Sequence, residues 1–174
     1  MSKITVKELE APTGFDLKIA AGETLDLKSQ GTVIMPAGAI LQVVQGETSS
    51  YTSTSSSAFT ATTLSANITP SSTSSKIFIT YNASMYHAAG VQAASTIYRG
   101  NTNATGHSDG CCKSWYESTR GHFIHAGQFL DSPNTTSEVT YKIYVRKITG
   151  SGSLDFPTNE STVIPTITLM EVAG

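Results

Sequence analysis

The sequence has little of what binding and catalytic sites are commonly built from. Its 174 residues include two cysteines, one tryptophan and four histidines, and only 14% of them are Asp, Glu, Lys or Arg. The net charge of -2 provides no strong positive field, so neither nucleic acid nor a membrane is expected as a partner. Because charge is scarce, solubility must depend mostly on hydroxyl and amide groups.

Long apolar runs are also missing. No stretch approaches the roughly 20 apolar residues of a membrane helix. The N-terminal MSKITVKELEAPTG has no apolar stretch after its lysine, so no signal peptide is predicted. The only cysteines, Cys111 and Cys112, are neighbours, and a disulfide between neighbours is strained. Two free thiols fit a reducing compartment, and we expect the chain to be made and assembled in a cytoplasm.

Helical periodicity is absent, and strand patterns take its place. In VTYKIYVRKI, Val139, Tyr141, Ile143 and Val145 alternate with polar or amphipathic residues, as in an antiparallel strand with one buried face. Similar runs rich in β-branched and aromatic residues end at Gly, Pro or Ser clusters. Many short strands without helices predict an all-β protein, an antiparallel β-sandwich of jelly-roll type.

The first 38 residues differ from the rest of the chain. Glycines at 14, 22, 31, 38 and 46 separate short alternating pieces such as FDLKI and TVIMP, which predict a meander of very short strands. Such strands bury too little to be stable alone. We therefore expect an N-terminal attachment or shaft segment over residues 1–38 and a β-sandwich head domain over residues 39–174.

A hydroxyl-rich stretch follows the predicted first strand of the head. More than half of the residues from Thr48 to Thr80 are Ser or Thr, a composition also seen in disordered linkers. Apolar residues recur within it at strand-like intervals, which favours strands instead. TPSSTSS is predicted to be the tight loop before a central strand.

Few residues could carry chemistry. GHSDG fits the nucleophile-elbow pattern with Ser108, but that motif requires a following helix, which is not predicted here. His122 and His125 are three residues apart, so a strand would place them on opposite faces, unable to share one ion within a chain. The cysteines lack a C-x-x-C partner. We expect no enzyme activity, no metal and no cofactor, although an axial histidine in a symmetric oligomer stays possible.

One patch is retained as a candidate binding site. The segment RGNTNATGHSDGCCKSWYESTR holds Trp115 and Tyr116 between Arg99 and Arg120, among amides and glycines. Exposed aromatic residues in such a setting can stack on sugar rings or anchor a protein partner. These four residues are the predicted receptor or partner contacts. The alternative is that Trp115 and Tyr116 fill the core.

Several blocks resemble a recurrent domain of phage virion proteins. They are GTVIMPAGAILQVVQGE, LSANITPSSTSSKIFI, DSPNTTSEVTYKIYVR and STVIPTITLMEV, and the similarity runs from about Gly31 to the C-terminus. The domain occurs in tail fibre, receptor-binding and head-decoration proteins. There it looks like a jelly-roll sandwich that forms a homotrimer, similar to the heads of C1q and tumour necrosis factor.

The resemblance implies a structural protein of the virion. Its N-terminal segment would dock on other virion proteins, and its trimeric head would be displayed outside, adhering to a glycan or protein of the host surface. Typical fibres carry this domain on a much longer chain, which favours a short fibre, a knob or a capsid decoration protein here. The leading prediction is a short tail fibre or receptor-binding adhesin. Capsid decoration, or a head fibre, is the alternative. A stand-alone carbohydrate-binding module stays open as a third reading.

Overall fold

The computed structural model describes Ala21 and residues 35–115, 121–158 and 164–174. These residues contain strands and no helix, so the prediction of an all-β protein is confirmed. Nearly all of the predicted N-terminal meander lies outside the described residues, and the domain boundary stays a prediction. The strands are β1 (Ile40–Glu47), β2 (Thr52–Thr54), β3 (Thr60–Ile68), β4 (Lys76–His87), β5 (Gln92–Arg99), β6 (Thr102–Asn103), β7 (Cys112–Trp115), β8 (Gly121–Asp131), β9 (Val139–Thr149), β10 (Leu154–Phe156) and β11 (Thr166–Val172).

The strands form two antiparallel sheets. Sheet A has the order β1–β11–β4–β8, and it is extended by β10, which also pairs with β4, and by β2, which pairs with β10. Sheet B has the order β3–β9–β5, and β6 and β7 pair with β5 along its other edge. The two sheets pack against each other around one apolar core, which confirms the predicted β-sandwich.

Alternate residues of the central strands build this core. Val139, Tyr141, Ile143 and Val145 of β9 are buried, as the alternation in VTYKIYVRKI predicts. Facing residues come from sheet A, where β4 contributes Ile77, Ile79, Tyr81, Ala83 and Met85 and β11 contributes Ile167 and Leu169. Full burial of one aliphatic side chain of this size stabilises the fold by about 1.5–3 kcal/mol.

The first and last strands of the sandwich, β1 and β11, are paired, and further hydrogen bonds join the residues just outside them. The backbone N–H of Gly38 donates to the carbonyl of Ala173 at 2.8 Å, and the N–H of Ala173 donates to the carbonyl of Ala39 at 2.8 Å. Gly38 has a φ of 87°, a conformation that costs glycine little. The pairing of β1 with β11 extends from Ile40 to Glu47, with one irregularity in register between Ile40 and Gln42.

A buried ionic contact joins the sheets at the end where β8 finishes. Asp131 of β8 accepts hydrogen bonds from the Arg99 guanidinium and from the Tyr141 hydroxyl, both at 2.7 Å. Arg99 and Tyr141 belong to sheet B, so one carboxylate holds both layers. Burial, together with the hydrogen bond to Asp131, raises the pKa of Tyr141, which therefore remains a neutral donor.

The loop TPSSTSS, between β3 and β4, is held by the carboxylate of Glu171 on β11. Glu171 is fully buried and accepts hydrogen bonds from the backbone N–H of Ser71 (2.7 Å), the Ser71 hydroxyl (2.6 Å) and the Gln42 amide (2.6 Å). Burial alone would raise the pKa of Glu171, but these hydrogen bonds outweigh it and hold the pKa below its usual 4.5. The conformation of the loop is therefore held by a buried carboxylate as well as by the loop's own hydroxyl groups.

Replacing Glu171 with Gln should destabilise the sandwich by about 1–3 kcal/mol at pH 7, because an amide nitrogen replaces one acceptor oxygen. Since the pKa of Glu171 is lower in the folded state, its contribution is present above pH 4.5 and is lost as the pH falls through the folded value. Urea denaturation at pH 7 and pH 3 should show a smaller acid loss in Glu171→Gln than in the wild type. The exposed control Glu47→Gln should behave as wild type, and equal acid losses in all three proteins would contradict the assignment.

Candidate functional site

The inner faces of the sheets enclose a chain of hydrogen-bonded polar side chains. The Tyr81 hydroxyl lies 2.7 Å from Ser95 Oγ, which lies 2.7 Å from His125 Nδ1, and His125 Nε2 lies 2.7 Å from Ser114 Oγ. Tyr81 and His125 belong to sheet A, whereas Ser95 and Ser114 belong to sheet B. The chain therefore crosses the sandwich, and the thiol of Cys111 touches it 3.4 Å from the Tyr81 hydroxyl.

Burial sets the electrostatics of this chain. It lowers the pKa of His125 to about 4, helped by the nearby His87, so the imidazole is neutral at pH 7. Burial also lowers the pKa of His87, whose ring stacks on Phe123 with 4.4 Å between centroids and whose Nε2 is buried without a hydrogen-bond partner. The pKa of the Cys111 thiol is raised, mainly by burial, which disfavours the nucleophilic thiolate.

A serine 2.7 Å from a histidine is the spacing of a nucleophile and its base. Here, however, Ser95 and His125 are fully buried, and the second imidazole nitrogen contacts the Ser114 hydroxyl, where a triad has a carboxylate. In this arrangement each of the four side chains, from Tyr81 to Ser114, has a hydrogen-bond partner, and the hydrogen bonds fix how the two sheets align. We interpret it as a structural network.

The residues that the sequence suggested for catalysis or metal binding do not come together in the structure. Ser108 is exposed in the loop between β6 and β7, and a strand follows it where a nucleophile elbow needs a helix. His122 is exposed on the outer face of sheet A, whereas His125 is buried on its inner face, so the prediction of opposite faces is confirmed. Both cysteines are free thiols. The described part of the chain contains no group of three or more His, Cys, Asp or Glu side chains able to hold a metal ion.

The predicted binding patch does not form one site as far as the structure describes it. Trp115 is 55% exposed at the end of β7, so the alternative that it fills the core is wrong. It pairs with Gln92 at the start of β5, whereas Arg99 ends that strand, about 23 Å away. Arg99 is committed to Asp131. Tyr116 and Arg120 lie outside the described residues, and a binding role for these positions stays a prediction.

The outer face of sheet A carries an apolar row that crosses four strands. Val43, Met170, Phe78 and Leu130 are aligned by register across β1, β11, β4 and β8. Val43 is 58% exposed and Leu130 48% exposed. Among the residues that the structure describes, this row forms an apolar strip that stays partly open to water.

A polar but uncharged row lies directly beside it. Gln45, Thr168, Thr80 and Gln128 are aligned across the same four strands. The two rows together offer dispersion contacts and hydrogen bonds without any formal charge to desolvate. Such a surface can meet another protein surface at low electrostatic cost.

The edge of sheet A next to this face is open. β8 is eleven residues long and pairs with β4 on one side only among the described strands. Its sequence, GHFIHAGQFLD, contains neither lysine nor proline, the residues that usually protect an exposed edge. Edge and apolar row are continuous, since Leu130 belongs to both.

Sequence reasoning missed the apolar row, although a signal was present. In KIFIT three consecutive apolar residues, Ile77 to Ile79, break the alternation expected of a strand with one buried face. Continuous apolar character indicates a strand that is covered on both sides. The Ser95 and Ser114 contacts had no such signal, because serine on a strand is compatible with either face.

No protein-family model matches the chain, and no curated protein matches it. No helix in the described ranges has the length and apolar character needed to cross a bilayer. The candidate binding surfaces of the described residues are the outer faces of the sandwich.

The buried His125 should make the fold sensitive to acid. Because its pKa falls from 6.5 to about 4 on folding, its neutral form contributes fully above pH 6.5, and this contribution of about 3 kcal/mol is lost as the pH falls towards 4. Urea midpoints measured from pH 7 to pH 4 should fall less steeply in His125→Gln than in wild type. The exposed control His107→Gln should keep the wild-type slope, and an unchanged slope in His125→Gln would disprove this origin.

Proposed function

We propose that the chain is a non-enzymatic structural protein of a phage virion, a short tail fibre or receptor-binding adhesin whose sandwich associates as a homotrimer. The observation that carries the proposal is the uncovered apolar row of sheet A beside the open edge of β8. The occupant of this face is a second copy of the same chain. Capsid decoration, or a head fibre, is the alternative location for the same assembly.

The strand order supports a jelly-roll head. Leaving out the shortest strands β2, β6 and β10, the pairs are β1 with β11, β3 with β9, β4 with β8, and β5 with β7. Strands are thus paired from the two ends of the sequence inwards. This nested pairing, divided over two sheets, is the pattern of two Greek keys in a jelly roll.

The energetics favour a closed ring of copies. Each large side chain of the apolar row contributes at most about 1.5–3 kcal/mol when covered, whereas bringing two proteins together costs about 4–15 kcal/mol. One contact is therefore marginal. A cyclic trimer has three contacts but requires only two association steps. The free energy of contact per association step is therefore larger than in an open pair.

The blocks that resemble the virion domain support its use as a displayed head. ITPSSTSSKI becomes the loop anchored by Glu171, and PNTTSEVTYKI becomes the loop between β8 and β9. Both loops lie at the same end of the sandwich, because Ile77 at the start of β4 pairs with Asp131 at the end of β8. The most specific parts of the resemblance therefore build one end of the head.

Self-association is tested by native mass spectrometry of the intact protein. We expect a trimer of about three times 18.4 kDa for the wild type, and a monomer for Leu130→Glu, because a buried unpaired charge would outweigh the remaining contacts. The control Trp115→Glu places the same charge at a similarly exposed position of sheet B and should remain trimeric. A stable wild-type monomer would remove the proposal's main support.

Location is tested by imaging. Antibody labelling of virions that carry this protein should mark the tail if it is a fibre or adhesin and the capsid if it is a decoration protein. Absence of label from particles would reject both. The exposed Trp115 favours a stand-alone carbohydrate-binding module as the second candidate function, and a wild-type monomer that binds glycans would select it.

A further inference from the structure

The cations of the sandwich are unevenly distributed between its two outer faces. Lys113 of β7 and Lys142 and Arg146 of β9 lie on the outer face of sheet B. Among the described residues whose side chains lie on the outer face of sheet A, Lys76 is the only cation. The same face carries two carboxylates. The face opposite the proposed copy contact is therefore the basic one.

One carboxylate compensates this basic face only in part. Asp109 forms an ion pair with Lys113 and accepts a hydrogen bond from Arg146 at 3.0 Å. Lys142 has no hydrogen-bond or ion-pair partner among the described residues, and Arg146 Nε is buried without one. Glu138, the residue directly before β9, is four residues from Lys142, about 13 Å. Asp109 thus compensates two of the three cations, and Lys142 is left without a nearby carboxylate.

Aromatic rings lie among these cations. Tyr98 and Tyr144 stack with 3.8 Å between centroids, and the Arg146 guanidinium lies 5.0 Å from the centre of the Phe59 ring. Trp115 follows Lys113 by two residues, on the same face of β7, and is the most exposed aromatic side chain of the described residues. A large amphipathic ring presented to solvent can stack against the apolar face of a sugar.

These groups extend along the sheet as a strip. From Gln92, which pairs with Trp115, to Tyr98 the strand β5 spans six residues, about 20 Å. A strip of this length on an open sheet face fits an extended polymer better than a small ligand. Lys113 and Arg146 are level with each other on either side of β5, about 10 Å apart, and Lys142 lies four residues along β9 from Arg146, about 13 Å away. This spacing is far sparser than the charges of duplex DNA, one per 1.7 Å or so.

We infer that the outer face of sheet B binds an acidic polysaccharide, with Trp115 stacking on a sugar ring and Lys113, Lys142 and Arg146 contacting its carboxylate or sulfate groups. This inference rests on the proposed adhesive function and gives the chemical class of the surface ligand. It moves the binding site from the predicted loop to a sheet face, keeping only Trp115. Copies meeting through sheet A would leave every such face pointing outwards.

The test measures binding of the intact protein to dextran sulfate and to neutral dextran of equal length, with alginate as a carboxylate polymer. We expect binding to one or both acidic polymers, weakening as salt is raised, and none to dextran. Trp115→Ala should weaken binding about ten-fold, the effect of removing an aromatic anchor, and Lys142→Gln about three-fold. Lys76→Gln, the same charge change on sheet A, should bind as wild type.

Native mass and circular dichroism of each variant separate this inference from the proposed assembly. A folded trimer that ignores both acidic polymers would overturn the inference and leave the assembly intact. Equal affinity for duplex DNA would also overturn it, because the face would then be a simple ion exchanger. If the Trp115→Ala and Lys142→Gln variants bind the acidic polymers as tightly as the wild type, these residues do not form the site.

Discussion

Sheet A carries apolar side chains on both faces, but a single sandwich has only one core in which to bury them. The inner face meets sheet B, and Ile77 and Ile79 belong to the same core cluster as Leu64 and Ile143. The outer face keeps Val43 and the rest of the apolar row in water. The hydrophobic effect favours covering this excess, and no other part of the described chain does so.

Polar contacts decide how the two sheets align. Hydrophobic burial is not directional, so it would tolerate several offsets between the layers. The His125 network and the Asp131 contact each join the sheets at a separate position, and each leaves polar groups unsatisfied in any other alignment. The cost of this specificity is a set of buried ionisable groups whose protonation weakens the fold.

The sequence predicted the long strands well and the short ones poorly. VTYKIYVRKI and KIFITYNASMYH contain enough alternation or apolar density to be identified alone. β6 and β7 lie in a glycine-rich segment with loop-like composition, and they become strands because β5 offers an edge to pair with. Short strands of this kind depend on tertiary pairing, which no local pattern reveals.

The candidate surfaces were harder to predict for the same reason. The sequence placed Trp115 near Arg99 because only 16 positions separate them, but β5 runs between them and holds them apart. Lys142 and Lys113 are distant in sequence and are brought to one face by pairing with the same strand. Faces of a sheet are assembled from residues far apart in the chain, so the strand order had to be known first.

The hydrogen bonds that join Gly38 and Ala39 to Ala173 have a mechanical consequence. A pull transmitted from the N-terminal side enters the sandwich along β1, parallel to its own axis. The bonds between β1 and β11 run across that axis, so they share the load in shear and must fail together. A sandwich loaded in this way would therefore meet the force with one strand pair at its rim, before its core is strained.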